Sequence, residues 1–178
     1  MIPVAVYAGT FDPVTRGHVS VVAQAARLFL HVRVLVADNP AKAPLFDVAA
    51  RVALLREVLG KLPNVSVDST SGYVVEYARE IGAAVLVRGI RGASDATWET
   101  ELAQENRKLA PDVQTVLLPA EPALSAVSSS ELRARARAGL PLDEWCHPCV
   151  AAALTAKASS SSSPSSPPPA ASSSKAGA

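Results

Sequence analysis

The chain has 178 residues, of which 49% are hydrophobic and 19% charged, enough for one globular domain with a sizeable core. Seventeen Lys and Arg against sixteen Asp and Glu leave a formal charge of +1, and only 4% of the residues are aromatic. This balance argues against a nucleic-acid-binding protein, and no apolar run approaches the length of a membrane span. With two cysteines and no secretory signal, we expect a cytoplasmic protein.

Two kinds of apolar segment alternate along the chain. Short continuous apolar runs predict strands, and helical spacing between them predicts helices. The predicted strands are 3–8, 32–37, 64–68, 84–87 and 113–118. The predicted helices are 17–29, 47–61, 72–81, 95–109 and 129–138, with one or two short helices in 141–157.

The alternation of strands and helices predicts an α/β fold. Strands that are apolar throughout are buried on both faces, which is typical of parallel sheets covered by helices on each side. We therefore expect a Rossmann-like, doubly wound, five-stranded parallel sheet with a small C-terminal helical extension, in a domain of residues 1–157. Residues 158–178 are rich in Ser, Pro and Ala and are predicted to be a disordered tail.

The most informative segment follows the first predicted strand and reads Gly9-Thr10-Phe11-Asp12-Pro13-Val14-Thr15-Arg16-Gly17-His18. It leads from a buried strand into a helix, and in open α/β sheets phosphates bind where a strand end faces a helix N-terminus. Gly9 and Gly17 would allow the backbone to approach a ligand, and His18 adds a donor. The alternative is an ordinary turn in which His18 only caps the helix.

Three further segments follow other predicted strands and would meet at the same sheet edge. Lys42 lies in a proline-flanked loop after the second strand. Arg88 and Arg91 follow the fourth strand and could clamp phosphate oxygens in a bidentate manner. Ser128 or Ser129 would cap the helix after the fifth strand and make a second anion site. The alternatives are a solvated lysine, a surface salt-bridge pair and a plain helix cap.

The remaining polar features favour structural roles. Asp95 is predicted to cap the fourth helix. The alternative to a site role for Glu99 is that of a solvated acid in the first turn of the same helix. Arg133 and Arg137 share a helix face, which we interpret as solvated. The segment Cys146-His147-Pro148-Cys149 is similar to half a zinc site. Because no second ligand pair is visible, we expect buried thiols and no metal site.

Taken together, the segments carry a resemblance to a known family. The motif G-T-F-D-P with T-x-G-H, the later R-G-x-R and the S-S-S-x-L-R segment resemble the nucleotidyltransferases. The resemblance is closest to the bacterial phosphopantetheine adenylyltransferases and runs in register from residue 3 to about 156. The residues that narrow it are Lys42 in N-P-x-K, the run 86–91 with Asp95 and Glu99, and the segment 72–78.

The resemblance implies an enzyme that transfers the adenylyl group of ATP to 4′-phosphopantetheine. The products would be dephospho-coenzyme A and pyrophosphate, in the penultimate step of coenzyme A biosynthesis. It further implies a homohexamer, feedback binding of coenzyme A, and Mg²⁺ that is carried with ATP. The sequence itself shows no cluster of carboxylates that would hold the metal on the protein.

Position by position, the resemblance also implies a set of binding residues. Those for 4′-phosphopantetheine are Thr10, Lys42, Val74 and Arg88. Those for ATP are Thr10, Phe11, His18, Gly89, Ile90, Arg91, Glu99, Leu124, Ser125, Ala126, Val127, Ser128, Ser129 and Ser130. The catalytic residues would be His18 on the α-phosphate, Lys42 on the attacking phosphate and Arg91 on the leaving phosphates. The substrate phosphate is itself a nucleophile, so we expect in-line attack without a covalent enzyme intermediate.

Two other functions stay open at this point. A related nucleotidyltransferase that uses nicotinate mononucleotide or glycerol phosphate would share residues 9–18, but we would not expect Lys42 together with Arg88, Arg91 and Glu99 in it. A non-catalytic nucleotide-binding protein on the same scaffold is not excluded by fold. It predicts loss of the charged site residues, all of which are present.

Overall fold

The computed structural model of the chain describes residues 4–38 and 43–161, apart from the side chains of residues 160 and 161. Within these residues, five strands form a parallel sheet in the order β3-β2-β1-β4-β5. The strands are β1 (Val4–Gly9), β2 (His31–Ala37), β3 (Val65–Thr70), β4 (Val85–Ile90) and β5 (Gln114–Pro119). The predicted five-stranded parallel sheet is confirmed.

The helices are α1 (Arg16–Leu28), α2 (Val48–Leu59), α3 (Val74–Glu80), α4 (Ala93–Leu109), α5 (Ser129–Arg137) and α6 (Pro148–Ser161), with a short 3-10 helix at Pro122–Leu124. Helices α1 to α5 begin and end within two residues of their predicted bounds. No helix in the described ranges is long and apolar enough to cross a membrane.

Helix α6 continues four residues into the segment predicted to be disordered. Its alanines favour helix, and the Ser159 hydroxyl donates to the Thr155 carbonyl at 3.0 Å instead of ending the helix. Residues 162–178 lie outside the described ranges, so a disordered tail there stays a prediction.

Neighbouring residues of each strand point to opposite faces of the sheet, and both faces are covered. Tyr7 of β1 belongs to a core that includes residues of α1, α2, α5 and α6. The next residue, Ala8, belongs to a second core with α3 and the turn after α4. The sheet is therefore doubly wound, as predicted. Its connections change direction between β1 and β4, the point at which such sheets bind ligands.

Candidate active site

A cavity of about 520 Å³ opens at the carboxyl ends of β1 and β4. Its size is within the usual range of small-molecule sites. Eleven of the predicted site residues line it, namely Thr10, Phe11, His18, Arg88, Gly89, Arg91, Glu99, Val127, Ser128, Ser129 and Ser130. The fold thus brings together segments that are far apart in the sequence.

Other predicted site residues lie elsewhere. Those that are described but do not line the cavity are Val74, Ile90, Leu124, Ser125 and Ala126. Val74 begins α3, the helix that follows β3 in the chain, and it would meet only a ligand that extends beyond the cavity. Lys42 falls outside the described residues. Ala43 and Pro44, the next residues in the sequence, line the cavity.

Thr15 and His18 cap the start of α1 reciprocally. The N–H of Thr15 donates to Nδ1 of His18 at 3.0 Å, and the Thr15 hydroxyl accepts from the N–H of His18 at 3.4 Å. Burial, and then the charge of Arg91, lower the pKa of His18 to about 4. Because the ring is neutral and its Nδ1 accepts, the proton is on Nε2. The capping role is confirmed, and it leaves Nε2 as a donor on a side chain that lines the cavity.

The Phe11 side chain packs against the imidazole of His18. Phe11 has a φ of 48°, is buried, and packs edge-on against Tyr7 and His18 at centroid distances of 5.5 and 5.0 Å. A Cβ at Gly9 would lie 3.0 Å from the Phe11 ring, so glycine there makes room for the ring. At Gly17, a Cβ would be at least 3.5 Å from other protein atoms, so close approach of a ligand fits Gly17 better than Gly9.

Arg88 is held in place by Glu99. Its Nε and Nη2 donate to the two carboxylate oxygens of Glu99 at 2.7 and 2.8 Å, and its Nη1 donates to the carbonyl of Ala8 at 2.8 Å. The side chain of Glu99 is only 12% exposed, so it is not a solvated acid. Its carboxylate lies on the guanidinium edge that a bidentate phosphate would use.

Arg91 is paired in a similar way with Asp95. The Nε of Arg91 lies 2.7 Å from Oδ2 of Asp95, and this hydrogen bond lowers the pKa of Asp95. The prediction that Asp95 caps α4 is wrong, because Gly92 occupies the cap position and the helix begins at Ala93. Ion pairing and cavity lining therefore coexist for both arginines.

The N-terminus of α5 faces the same cavity. The Ser128 hydroxyl accepts from the N–H of Glu131 at 3.1 Å, which confirms the predicted cap. The Ser129 hydroxyl donates to the carbonyl of Pro13 at 2.8 Å and joins α5 to the turn after β1. The first N–H groups of a helix have no acceptor within the helix, so this end favours an anion.

Asp12 and Arg133 were not predicted as site residues. The buried carboxylate of Asp12 accepts from the N–H groups of Leu45 and Phe46 at 2.8 and 2.9 Å. Arg133 lies 3.6 Å from that carboxylate and donates to the Asp12 carbonyl. The predicted solvated face is thus wrong for Arg133, which lines the cavity. The sequence signal was its place in the S-S-S-x-L-R segment, one turn after Ser130.

Arg51 of α2 was also missed, although its side chain is only 1% exposed. Its Nη2 donates to Asp38 at 2.8 Å, and its Nη1 donates to the carbonyl of Thr10 at 3.1 Å. A buried arginine in an apolar helix leaves no pattern in the sequence. It fixes the backbone at the point where β1 opens into the cavity.

Residues 6–135 match the model of the family described as cytidylyltransferase-like. Over 141 residues, the chain is 47% identical to the phosphopantetheine adenylyltransferase of Desulforudis audaxviator (strain MP104C), covering 79% of this chain and 86% of that protein. The chain belongs to the phosphopantetheine adenylyltransferase family. The resemblance predicted from the motifs is confirmed.

A solved structure from Vibrio parahaemolyticus, proposed to be a nicotinate-nucleotide adenylyltransferase, has a similar fold. Its TM-score is 0.65 at 18% identity, and the match covers 88% of this chain and 93% of that one. At this identity the likeness shows the fold alone. It is consistent with the α/β fold described above for this chain.

The two cysteines lie outside the cavity and differ from each other. Cys146 is buried, its thiol donates to the carbonyl of Leu142 at 3.6 Å, and burial raises its pKa to about 11. Cys149 is half-buried, with its sulfur 3.1 Å from Nδ1 of His147. The expectation of buried thiols is therefore confirmed for Cys146 and wrong for Cys149, which lies in the accessible first turn of α6.

Proposed function

We propose that the cavity binds ATP and 4′-phosphopantetheine and joins them to give dephospho-coenzyme A and pyrophosphate. The observation that carries this proposal is the 47% identity to a phosphopantetheine adenylyltransferase over most of both chains. The cavity at the switch point of the sheet, with His18, Arg88 and Arg91 on its walls, supports it.

The nucleophile in this reaction is the phosphate of 4′-phosphopantetheine. A phosphate monoester needs no activation, so the protein has to place it in line with the α-phosphorus of ATP. The three serine hydroxyls of the cavity have other partners: that of Ser128 caps α5, that of Ser129 donates to the Pro13 carbonyl, and that of Ser130 accepts from Arg133 at 3.4 Å. The adenylyl group therefore passes directly from pyrophosphate to the acceptor, without a covalent enzyme intermediate.

The residues predicted to act on the phosphates then have different tasks. Arg88, together with Lys42, positions the attacking phosphate. The Nε2–H of His18 donates to the α-phosphate oxygens as charge develops on them in the transition state. Arg91 and the N-terminus of α5, with Ser129 and Ser130, hold the β- and γ-phosphates as they leave.

Magnesium enters this reaction as part of the substrate MgATP. The carboxylates that line the cavity are those of Asp12, Asp95 and Glu99, and each faces an arginine. These carboxylates are therefore engaged in ion pairs, whereas the ATP phosphates are natural magnesium ligands. The arginines supply the remaining positive charge.

The length of the acceptor accounts for the proposed binding role of Val74, which lies outside the cavity. 4′-phosphopantetheine is a long molecule whose phosphate forms one end. With this phosphate at Arg88, its other end would run past Ala43 and Pro44 toward Val74 at the start of α3. The same extended site would accept the corresponding part of coenzyme A, which is the basis for feedback binding.

We also propose a cytoplasmic homohexamer, as the resemblance implies. Helix α4 contributes no buried residue in the single chain. Large apolar side chains at the end of α4 and just before α3 are exposed, with Leu109 at 61% and Tyr73 at 68%. Apolar surface of this kind is typical of a face that packs against another copy. Light scattering on the purified protein would test the hexamer.

The function is tested by measuring pyrophosphate release from MgATP with three separate acceptors. These are 4′-phosphopantetheine, nicotinate mononucleotide and glycerol 3-phosphate. Turnover with the first alone, with dephospho-coenzyme A identified by mass spectrometry, is the expected result. Turnover with another acceptor would overturn the substrate, and ATP binding without turnover would favour a non-catalytic protein.

A pair of arginine variants makes this test specific to the cavity. Arg88→Ala should raise KM for 4′-phosphopantetheine at least tenfold, because the positive charge that attracts the acceptor phosphate is lost. Arg79→Ala is the matched control, since Arg79 is 55% exposed, pairs with Asp112 and does not line the cavity. It should leave both kinetic constants unchanged.

A further inference from the structure

We propose that Glu57, His147 and Cys149 form a binding site for a divalent transition-metal ion, with zinc as the ion that fits it best. A carboxylate oxygen, an imidazole nitrogen and a thiol sulfur of these residues all lie within 4.8 Å of one another. Glu57 is in α2, whereas His147 and Cys149 lie at the start of α6. None of the three lines the adenylyl-transfer cavity.

The donor set selects the class of metal. Thiolate and imidazole together favour zinc over calcium or magnesium, which prefer oxygen ligands. Zinc sites use Cys, His and Glu as ligands. With Cys149 as thiolate and Glu57 ionised, the two negative charges balance a divalent cation.

The distances require only a small adjustment. Nδ1 of His147 lies 3.1 Å from Sγ of Cys149. Tetrahedral zinc, with a Zn–S bond of about 2.3 Å and a Zn–N bond of about 2.0–2.1 Å, holds sulfur and nitrogen about 3.5 Å apart. The pair would have to open by about half an ångström, which side-chain rotation at an exposed helix start allows.

The site is reachable from solvent. Glu57 and His147 are exposed and Cys149 is half-buried, so an ion can enter and a water molecule can complete four ligands. Cys146 is not a ligand, because its sulfur is buried and donates to the Leu142 carbonyl. The C-x-x-C spacing therefore does not identify the ligands of this site, since the third ligand comes from α2 and not from a second cysteine pair.

A metal at this site would stabilise the segment that contacts the start of α1. It would tie the start of α6 to α2, directly after the loop that carries Trp145. The carbonyl of Trp145 accepts from the N–H of Arg16 at 2.9 Å, and Arg16 is the first residue of the helix that carries His18. The role is structural, and zinc should raise the thermal midpoint of the protein.

Cobalt titration of the chelator-treated full chain tests the site, because tetrahedral Co²⁺ bound to thiolate absorbs strongly. We expect one equivalent of Co²⁺ to give visible d–d bands and a near-ultraviolet thiolate charge-transfer band, both abolished by Zn²⁺. Cys149→Ser should lose the charge-transfer band. Cys146→Ser is the matched control and should keep it.

Two exposed positions keep the test decisive if a cysteine variant folds poorly. His147→Ala and Glu57→Gln should each weaken Zn²⁺ binding about tenfold or more in competition titrations. Zinc should also raise the thermal midpoint of the wild type but not that of Cys149→Ser. A cobalt spectrum without a thiolate band, or affinity unchanged by His147→Ala and Glu57→Gln, would overturn the proposal.

Discussion

The backbone N–H of Thr15 donates to Nδ1 of His18 at 3.0 Å, which fixes the tautomer of a histidine on the cavity wall. Since the donor is a backbone group, the contact depends on the turn and not on the identity of residue 15. The helix cap and the proposed catalytic donor are thus two nitrogens of one ring. The geometry of α1 prepares the donor before any substrate binds.

Removing the imidazole should separate chemistry from folding. We expect His18→Ala to lower kcat by about 10²–10³, the typical cost of one transition-state donor, while KM for each substrate changes little. Thr15→Ala serves as the control, because it removes the hydroxyl cap at about 1 kcal/mol but keeps the backbone donor to Nδ1. Near-normal turnover by a folded His18→Ala variant would refute the assignment.

His18 should also make the stability of the protein depend on pH. Its folded pKa of about 4 lies below the value of 6.5 for an unfolded chain, so the unfolded state binds the proton first as pH falls. The free energy of unfolding should therefore decrease between pH 6.5 and 4, and it should be about 2–2.5 kcal/mol lower at pH 4.5 than at pH 7. Urea unfolding at pH 7 and pH 4.5 measures this, and His18→Asn should remove that part of the loss. Equal losses in both proteins would contradict a lowered pKa of His18 in the folded protein.

The Arg88–Glu99 pair should behave as a coupled unit. Arg88→Met leaves the Glu99 carboxylate mostly buried and unpaired, and we expect a cost of about 2–3 kcal/mol. Glu99→Gln should cost less, because the amide still accepts one hydrogen bond from Arg88. The double variant should be less destabilised than the sum by about 1–2 kcal/mol in urea unfolding. Strict additivity would mean that the ion pair does not persist in solution.

Replacing Asp12 should lower both the free energy of unfolding and the kcat. In Asp12→Asn, the attraction to Arg133 is lost. One backbone hydrogen bond is also lost, because the Asn side-chain nitrogen cannot accept from an N–H group, and we expect a total cost of about 1–3 kcal/mol. The kcat should fall as well, because Asp12 fixes residues 45 and 46, which follow the proposed catalytic residue Lys42 by three and four positions in the sequence. Asp112→Asn, in an exposed pair with Arg79, should cost less than about 0.5 kcal/mol and leave kcat unchanged. Similar effects of the two variants would remove Asp12 from this role.

Periodicity was sufficient to predict the sheet and the helix bounds, because it reports which faces are buried. The positions of Arg88 and Ser128 at the cavity followed, since the ends of parallel strands share one edge. Side-chain partners were harder to predict. Asp12 and Arg133 are 121 residues apart, and their contact depends on how α5 packs beside the first turn. The buried Arg51 was missed for the same reason, because no local pattern encodes a partner brought in by the fold.

In the proposed reaction, the acceptor phosphate attacks the α-phosphorus of ATP directly. The stereochemistry of the reaction tests this with ATP that carries a chiral α-thiophosphate of known configuration. We predict a single inversion at phosphorus in the thiophosphate analogue of dephospho-coenzyme A. Retention of configuration would require two displacements through a covalent enzyme intermediate and would contradict the account.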